Sequence, residues 1–276
     1  MTNVSLVSPS VTIDRRSESY WRVVLSNPPI NILDGAMLKG LQSVVDQLEA
    51  DDRVKVVVFE SADSDYFISH FELAPGTTYD LTPGPTGLSP WMDFGKRLER
   101  GSFITVGEIR GRARGVGSEF AQALDIRFAS RERAIFCQIE IGMALIPGGG
   151  GLERLHRLVG KSRAMEVITG AQDFDADTAE RYGWVNRSVP DAELDAFVER
   201  YATRVAGYDK AALALVKQTL NARAGLAEVP DLVASEKAFY ELLTTPQARA
   251  LIASLFERGL QRPGDLELKL GDHLAP

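Results

Sequence analysis

The sequence predicts an α/β fold with a helical C-terminal part, and two observations predict it. In the first half, β-rich runs alternate with a helical pattern. One of those runs, Val54 to Glu60 (VKVVVFE), is almost continuously apolar, as befits a strand buried on both faces of a parallel sheet. From about Gly151 onward the pattern is helical alone. The chain has 276 residues, 45% of them hydrophobic, enough for a sizeable core. The expected organisation is a main domain over 1–200 and a smaller helical region over 201–276.

The elements follow in order. Tyr20 to Ser26 (YWRVVLS) is a β-rich run, and VTIDRRSES before it looks like its hairpin partner. NPPINI breaks the chain. Leu33 to Asp51 reads as a helix, with Met37, Leu38, Leu41, Val44, Val45 and Leu48 at 3- and 4-residue spacing. Val54 to Glu60, Phe103 to Glu108, Asp125 to Ala129 and Ala134 to Cys137 read as strands. Residues 74–90 hold four prolines and three glycines. Such a stretch is a connector or a lid, and its place directly after a candidate site makes the lid worth testing. GLERLHRLVG ends at Gly160, a plausible C-cap, and KSRAMEVITG repeats that form. Asp175 is placed to cap DADTAERYG. Ala211 to Ala222 and Pro230 to Leu260 read as longer amphipathic helices.

Composition excludes several classes. Lys and Arg total 31 against 38 Asp and Glu, a net charge of −7. That balance argues against a nucleic-acid binder, which carries a basic face. No apolar run approaches the ~18 residues of a membrane span. The one cysteine, Cys137, excludes an intrachain disulfide, and with only three histidines a closed zinc site is not expected. The start, MTNVSLVSPSVTIDRR, lacks the form of a signal peptide. The expected location is cytoplasmic.

The segment Ile109 to Phe128 (IRGRARGVGSEFAQALDIRF) carries the most chemistry. A strand runs into Gly111, a Gly115-Val116-Gly117 turn follows, and then a helix of about two turns. Glycines let the backbone come close to a bound group, and free N–H groups at the helix start favour an anion or an oxyanion. Glu119 lies three residues after Val116, on the same side of the first turn. A carboxylate there suits proton transfer next to a carbonyl. The plainer alternative is a helix-start glutamate held by the dipole. Position 120 is Phe, so the dinucleotide fingerprint fails. Ser118 has Val116 two residues before it and Phe120 two after, so the nucleophile elbow fails as well. Gly148 to Gly151 lead into Leu-Glu-Arg, which is no Walker motif. A second carboxylate, Glu140, follows a short strand and precedes that glycine cluster.

Taken together, RGRARGVGSE, LDIRFAS, AIFCQIEIGMALIPGGGGLERLHRLVGKSRAMEVITG and AERYGWVNRSVP, with NPPINIL near the start and TTPQARALIASLFERG near the end, resemble the enoyl-CoA hydratase/isomerase (crotonase) superfamily. The resemblance covers about residues 11 to 265. It implies a spiral of stacked ββα turns and a C-terminal helical region used in trimerisation, hence a homotrimer or a homohexamer. It implies an acyl-CoA thioester ligand, with coenzyme A part of the substrate and no separate cofactor; composition, as above, gives no sign of a metal, a nucleic-acid or a membrane partner.

By motif, the thioester oxygen would be held by the N–H groups of Val116 and of Phe71 in YFISHFEL. Glu119 and Glu140 match the two acid–base glutamates of family hydratases. Family isomerases often need only the one at the Glu140 position, so hydration of a 2-enoyl-CoA to a 3-hydroxyacyl-CoA is the expected reaction. The alternatives are an isomerase or hydrolase of the same superfamily with a specialised substrate, and a non-catalytic binding protein of the same fold. The resemblance also puts Ser69 and Leu73 beside the adenine and Arg258 at the 3′-phosphate.

Three positions depart from the pattern. His70 replaces a glycine and is either an extra acid–base group or a hydrogen-bonding residue that shapes the pocket. Phe71 replaces a small residue. Val116 replaces the middle of three glycines.

Overall fold

The computed structural model describes residues 3–274. A seven-stranded sheet runs in the order β1-β2-β3-β4-β6-β8-β11, made of Asn3–Ser8, Val11–Arg15, Tyr20–Leu25, Val56–Ser61, Ile104–Ile109, Ile126–Ser130 and Arg187–Val189. The first three strands are an antiparallel meander, and β3 onward pair in parallel. A second sheet, in the order β10-β9-β7-β5, holds Phe174–Asp175, Ile135–Cys137, Arg112–Arg114 and Tyr66–Ile68. The chain passes from β4 to β5, from β6 to β7 and from β8 to β9, so each turn puts one strand in each sheet.

The alternation in β4 explains how the first sheet is covered. Val57 and Phe59 join the main core, while Val56 and Val58 face the opposite way. Successive strand residues point to opposite faces, so a continuously apolar strand needs cover on both. Helix α1, Gly35–Ala50, lies on the main-core side with Met37, Leu41, Val44, Val45 and Leu48 buried. Helix α7, Asp191–Ala206, covers the other face through Leu194, Val198, Ala202 and Val205.

Several expectations need correcting. Helix α1 begins after Asp34, whose carboxylate caps the Met37 N–H at 2.7 Å, so Leu33 stays extended. A helix, α2, spans Pro90–Arg100, with the proline at its first position, where its missing N–H costs nothing. Residues 230–260 are not one helix. Helices α9, Val229–Leu243, and α10, Pro246–Glu257, meet at Thr244-Thr245. Pro246 pushes Thr245 to an extended conformation, and its side chain caps the new helix. A division at residue 200 falls inside α7.

The remaining helices are α3 (Val116–Ala123), α4 (Gly151–Val159), α5 (Lys161–Gly170), α6 (Ala176–Tyr182, capped by Asp175), α8 (Lys210–Ala224), α11 (Asp265–Leu268) and α12 (Leu270–His273). Leu255 of α10, with Leu260, Leu266, Leu270 and Leu274 beyond it, packs on Cys137, Ile139 and Met143 at the end of the second sheet. None of the described helices is long and apolar enough to cross a membrane.

Candidate active site

Two backbone approaches create the site. Gly117 sits so close to the Ile68 carbonyl that a Cβ there would collide with it. Helix α3 therefore lies directly on the end of β5, which brings Val116 beside Phe71. Gly115 precedes the helix at φ 50° and also makes room for Glu140, whose Oε1 would stand 3.0 Å from a Cβ at that position. Both glycines are thus fixed by geometry rather than by flexibility.

The two N–H groups are aimed by their own peptide planes. The His70 carbonyl accepts from the Leu33 N–H at 3.0 Å, and the Glu72 N–H donates to the Leu33 carbonyl at 3.0 Å. In a trans peptide the N–H points opposite to the carbonyl. The Phe71 N–H, which shares a peptide with the His70 carbonyl, therefore points away from Leu33. The Gly115 carbonyl accepts from the Glu119 N–H at 3.0 Å, so the Val116 N–H points outward from the start of α3 as an unpaired first-turn donor.

Phe71, Val116, Glu119 and Glu140 line one cavity of about 60 Å³ together with Trp91, Gly148, Gly149, Glu236, Phe239 and Tyr240. Glu119 is fixed by the N-terminus of α4. Its Oε1 accepts from the N–H groups of Gly149 at 2.8 Å and Gly151 at 2.9 Å. A side chain at Gly149 would strike Glu119 and Trp91. Glu140 opens a 3-10 turn, Glu140–Met143, and accepts from Gln138 Nε2 at 3.3 Å. Gln138 is oriented in turn by Gln122, at 3.0 Å.

Both carboxyls titrate well above the ordinary glutamate range. Burial is the main cause for each. For Glu140 the negative charge of Glu119 is the next cause. Glu119 is partly relieved by its two backbone donors and by Arg154. The charge on Glu119 disfavours ionisation of Glu140, while the two N–H donors favour the charge on Glu119. The arrangement can present an acid and a base to one cavity.

The structure gives His70 a different place. It is 2% exposed and lines neither this cavity nor the adjoining one. Its Nδ1 donates to the Phe71 carbonyl at 3.0 Å and its Nε2 faces the Glu267 carboxylate at 3.0 and 3.1 Å. With both nitrogens committed, it is not a free acid or base, and of the two readings of this residue the hydrogen-bonding one fits. Ser69 is wholly buried and its hydroxyl has no partner among the described residues, so its side chain is closed to an adenine. Leu73 is half-buried against the cluster around Leu255. Arg258 is exposed, with its guanidinium on the His273 carbonyl at 3.3 and 3.4 Å.

Several lining residues were not singled out from the sequence. Trp91 opens α2, and Glu236, Phe239 and Tyr240 come from α9. Segment 74–90 borders a larger adjoining cavity of about 310 Å³ that shares Phe71, Trp91, Glu236 and Tyr240. Tyr79 stacks on Phe71 with ring centres 5.0 Å apart and lies 5.6 Å from Tyr240. Ser89 donates to Glu236. The only signal in the sequence was the spacing of apolar residues on one face of each helix, which does not distinguish a pocket wall from core.

Comparison with known proteins gives the family and the fold. The model of the enoyl-CoA hydratase/isomerase family matches residues 15–261. The short-chain-enoyl-CoA hydratase of Clostridium acetobutylicum is 31% identical over 245 residues, 87% of this chain and 93% of that one. A crystal structure from Streptomyces avermitilis, assigned to the enoyl-CoA hydratases, superposes with a TM-score of 0.89 at 36% identity, covering 98% of each chain. An enoyl-CoA hydratase of Bacillus anthracis gives a TM-score of 0.72 at 25% identity, covering 93% of this chain and all of that one. The fold is the crotonase fold.

Proposed function

Because the chain belongs to the enoyl-CoA hydratase/isomerase family, we propose that it hydrates a 2-enoyl-CoA to a 3-hydroxyacyl-CoA. The observation that carries this reading is the pair of buried carboxyls, Glu119 and Glu140, on one cavity with Phe71 and Val116. The thioester oxygen lies between the N–H groups of Phe71 and Val116. As negative charge gathers on it, these donors stabilise the enolate, and losing one costs about 3 kcal/mol.

The ionised carboxylate, Glu119, takes a proton from water while the hydroxyl adds to C3. The neutral carboxyl of Glu140 gives its proton to C2. Transfer of the water proton from Glu119 to Glu140 resets the pair, so the net change is addition of one water. An isomerase needs one carboxyl to move a proton between carbons. Two on one space suit hydration better.

The acyl group would lie among Trp91, Phe239, Tyr240 and Tyr79, with Glu236 beside them. Burial raises the pKa of Glu236 while the bond from Ser89 lowers it. Such a wall suits an acyl group other than a plain saturated tail. Leu73 and Arg258 remain the contacts for the nucleotide, since a guanidinium suits a phosphate. Coenzyme A enters as part of the substrate, with no separate cofactor. A homotrimer or homohexamer is supported by Leu215, Val216 and Leu220, which leave an apolar strip exposed on α8. The acidic balance fits a cytoplasmic enzyme that binds no nucleic acid.

The test is calorimetric titration with acetyl-CoA, followed by the absorbance of crotonyl-CoA in the same sample. Binding with loss of the enoyl absorbance is expected. Binding without turnover would favour the specialised hydrolase or isomerase, or a binding protein. No binding would overturn the reading.

A further inference from the structure

His70, Gln261 and Glu267 take no part in the chemistry above, yet the first two converge on a single atom and the third holds them there. The Phe71 carbonyl oxygen accepts from His70 Nδ1 at 3.0 Å and from Gln261 Nε2 at 3.1 Å. Glu267 holds both donors. It accepts from His70 Nε2 and from the Gln261 N–H at 2.6 Å. His70 and Glu267 are 2% and 0% exposed.

A carbonyl can only accept, so Nδ1 carries a proton, and a carboxylate at Nε2 requires a second one there. Burial works against the charge on His70, but Glu267 outweighs it and raises the pKa of the ring. The pair is a buried imidazolium and carboxylate.

The segment that carries Gln261 and Glu267 is itself seated. Arg112 Nε donates to the Leu268 carbonyl at 2.8 Å, and Arg114 donates to the Glu267 carbonyl and to Asp173. Gly271 lies so close to β10 that a Cβ would stand 2.7 Å from the Asp173 nitrogen. Residues 260–274 are therefore bound to β7, the strand that leads into Gly115 and the second donor.

We propose that residues 260–274 form a clamp on the Phe71 peptide, and that His70 and Gln261 are positioning residues for its N–H. The proposal rests on the thioester reading above. Leu33 holds the two peptides that flank Phe71, through the His70 carbonyl and the Glu72 N–H, and the clamp adds two donors on the Phe71 carbonyl oxygen. A developing oxyanion pulls on the Phe71 N–H, and the clamp keeps it aimed without bringing a new group to the substrate. It also accounts for the histidine where the family has a glycine: an imidazole one residue before the donor can reach back to the donor's own carbonyl.

The experiment uses the full chain and butyryl-CoA labelled with carbon-13 at the thioester carbonyl. Isotope-edited infrared spectra of the bound ester read how strongly that carbonyl is polarised. Crotonyl-CoA turnover gives kcat and KM. The variants are His70→Ala, His70→Asn, which keeps an amide donor near the Nδ1 position, and Gln261→Ala, which leaves the buried ion pair intact.

His70→Ala is expected to lose most of the carbonyl shift and to lower kcat by about 100-fold with KM little changed, the scale of a misplaced reacting group. His70→Asn should recover much of both. Gln261→Ala should lose part of each and keep the fold, so the test survives if His70→Ala fails to fold. Folded variants with the full wild-type shift and kcat, and only a lower melting temperature, would overturn the clamp and leave the thioester reading standing. A wild-type protein that does not polarise the carbonyl would overturn both.

Discussion

At the scale of single residues, the proposed chemistry rests on two carboxyls that differ in their neighbours. Glu119 is met by two backbone N–H groups, and Glu140 by one amide at 3.3 Å. Glu140→Gln keeps the shape and removes the transferable proton. We expect kcat to fall by about 10²–10⁴-fold, with acetyl-CoA affinity by calorimetry nearly unchanged. The same substitution should change stability against pH. Both carboxyls have folded-state pKa values above that of a free glutamate, so folding takes up protons and stability falls as pH rises through those values. The melting temperature of the Glu140→Gln protein should therefore decline less than the wild type's from about pH 5 upward, where an unfolded glutamate is ionised. Both glutamates were singled out by the family resemblance, since locally each also reads as a helix-start or capping residue. The role of His70 was not legible, since its partner Glu267 lies 197 residues away.

At the scale of elements, the site depends on where backbones touch. Helix α3 meets β5 at Gly117, and Glu119 of α3 meets the start of α4 at Gly149 and Gly151. Gly149→Ala would put a methyl group against the Glu119 carboxylate and the Trp91 indole. It should lower kcat while circular dichroism stays unchanged; unaltered turnover would mean that the fixing of Glu119 by α4 is not needed. Segment 74–90 follows Phe71 closely in the chain and folds back through Tyr79 onto Phe71 and Tyr240. Tyr79→Ala should raise KM more than it lowers kcat, because it opens the wall and spares the carboxyls. Helix α1 was legible from its period, β4 from its continuous apolar run, and the paired helices α4 and α5 from the glycines that close them. Strands of three residues, such as β5 and β11, are too short to show a period. Helix α7 does show one, at Leu194, Val198, Ala202 and Val205, and only the structure identified it as the cover for the outer face of the sheet.

At the scale of the whole molecule, the two sheets divide the work. The large one is filled on both faces and sets the frame. The small one ends its strands at Ile68, Arg114 and Cys137, each two or three residues before Phe71, Val116 and Glu140. The helical region over 201–276 was expected to serve assembly, and part of it walls the candidate site through Glu236, Phe239 and Tyr240. Periodicity could not separate those roles, because both ask for apolar residues on one helix face. Assembly is better tested on α8, where Val216 and Leu220 lie one turn apart and exposed. The double substitution Val216→Glu and Leu220→Glu should reduce the mass by light scattering from a trimer or hexamer to smaller species; an unchanged mass would place the interface elsewhere. The most direct test of the central claim is nuclear magnetic resonance of crotonyl-CoA turned over by the protein in heavy water. A 3-hydroxybutyryl-CoA product with one deuterium at C2 would match two carboxyls delivering hydroxyl and proton across the double bond. A shifted double bond, free coenzyme A or unchanged substrate would contradict it.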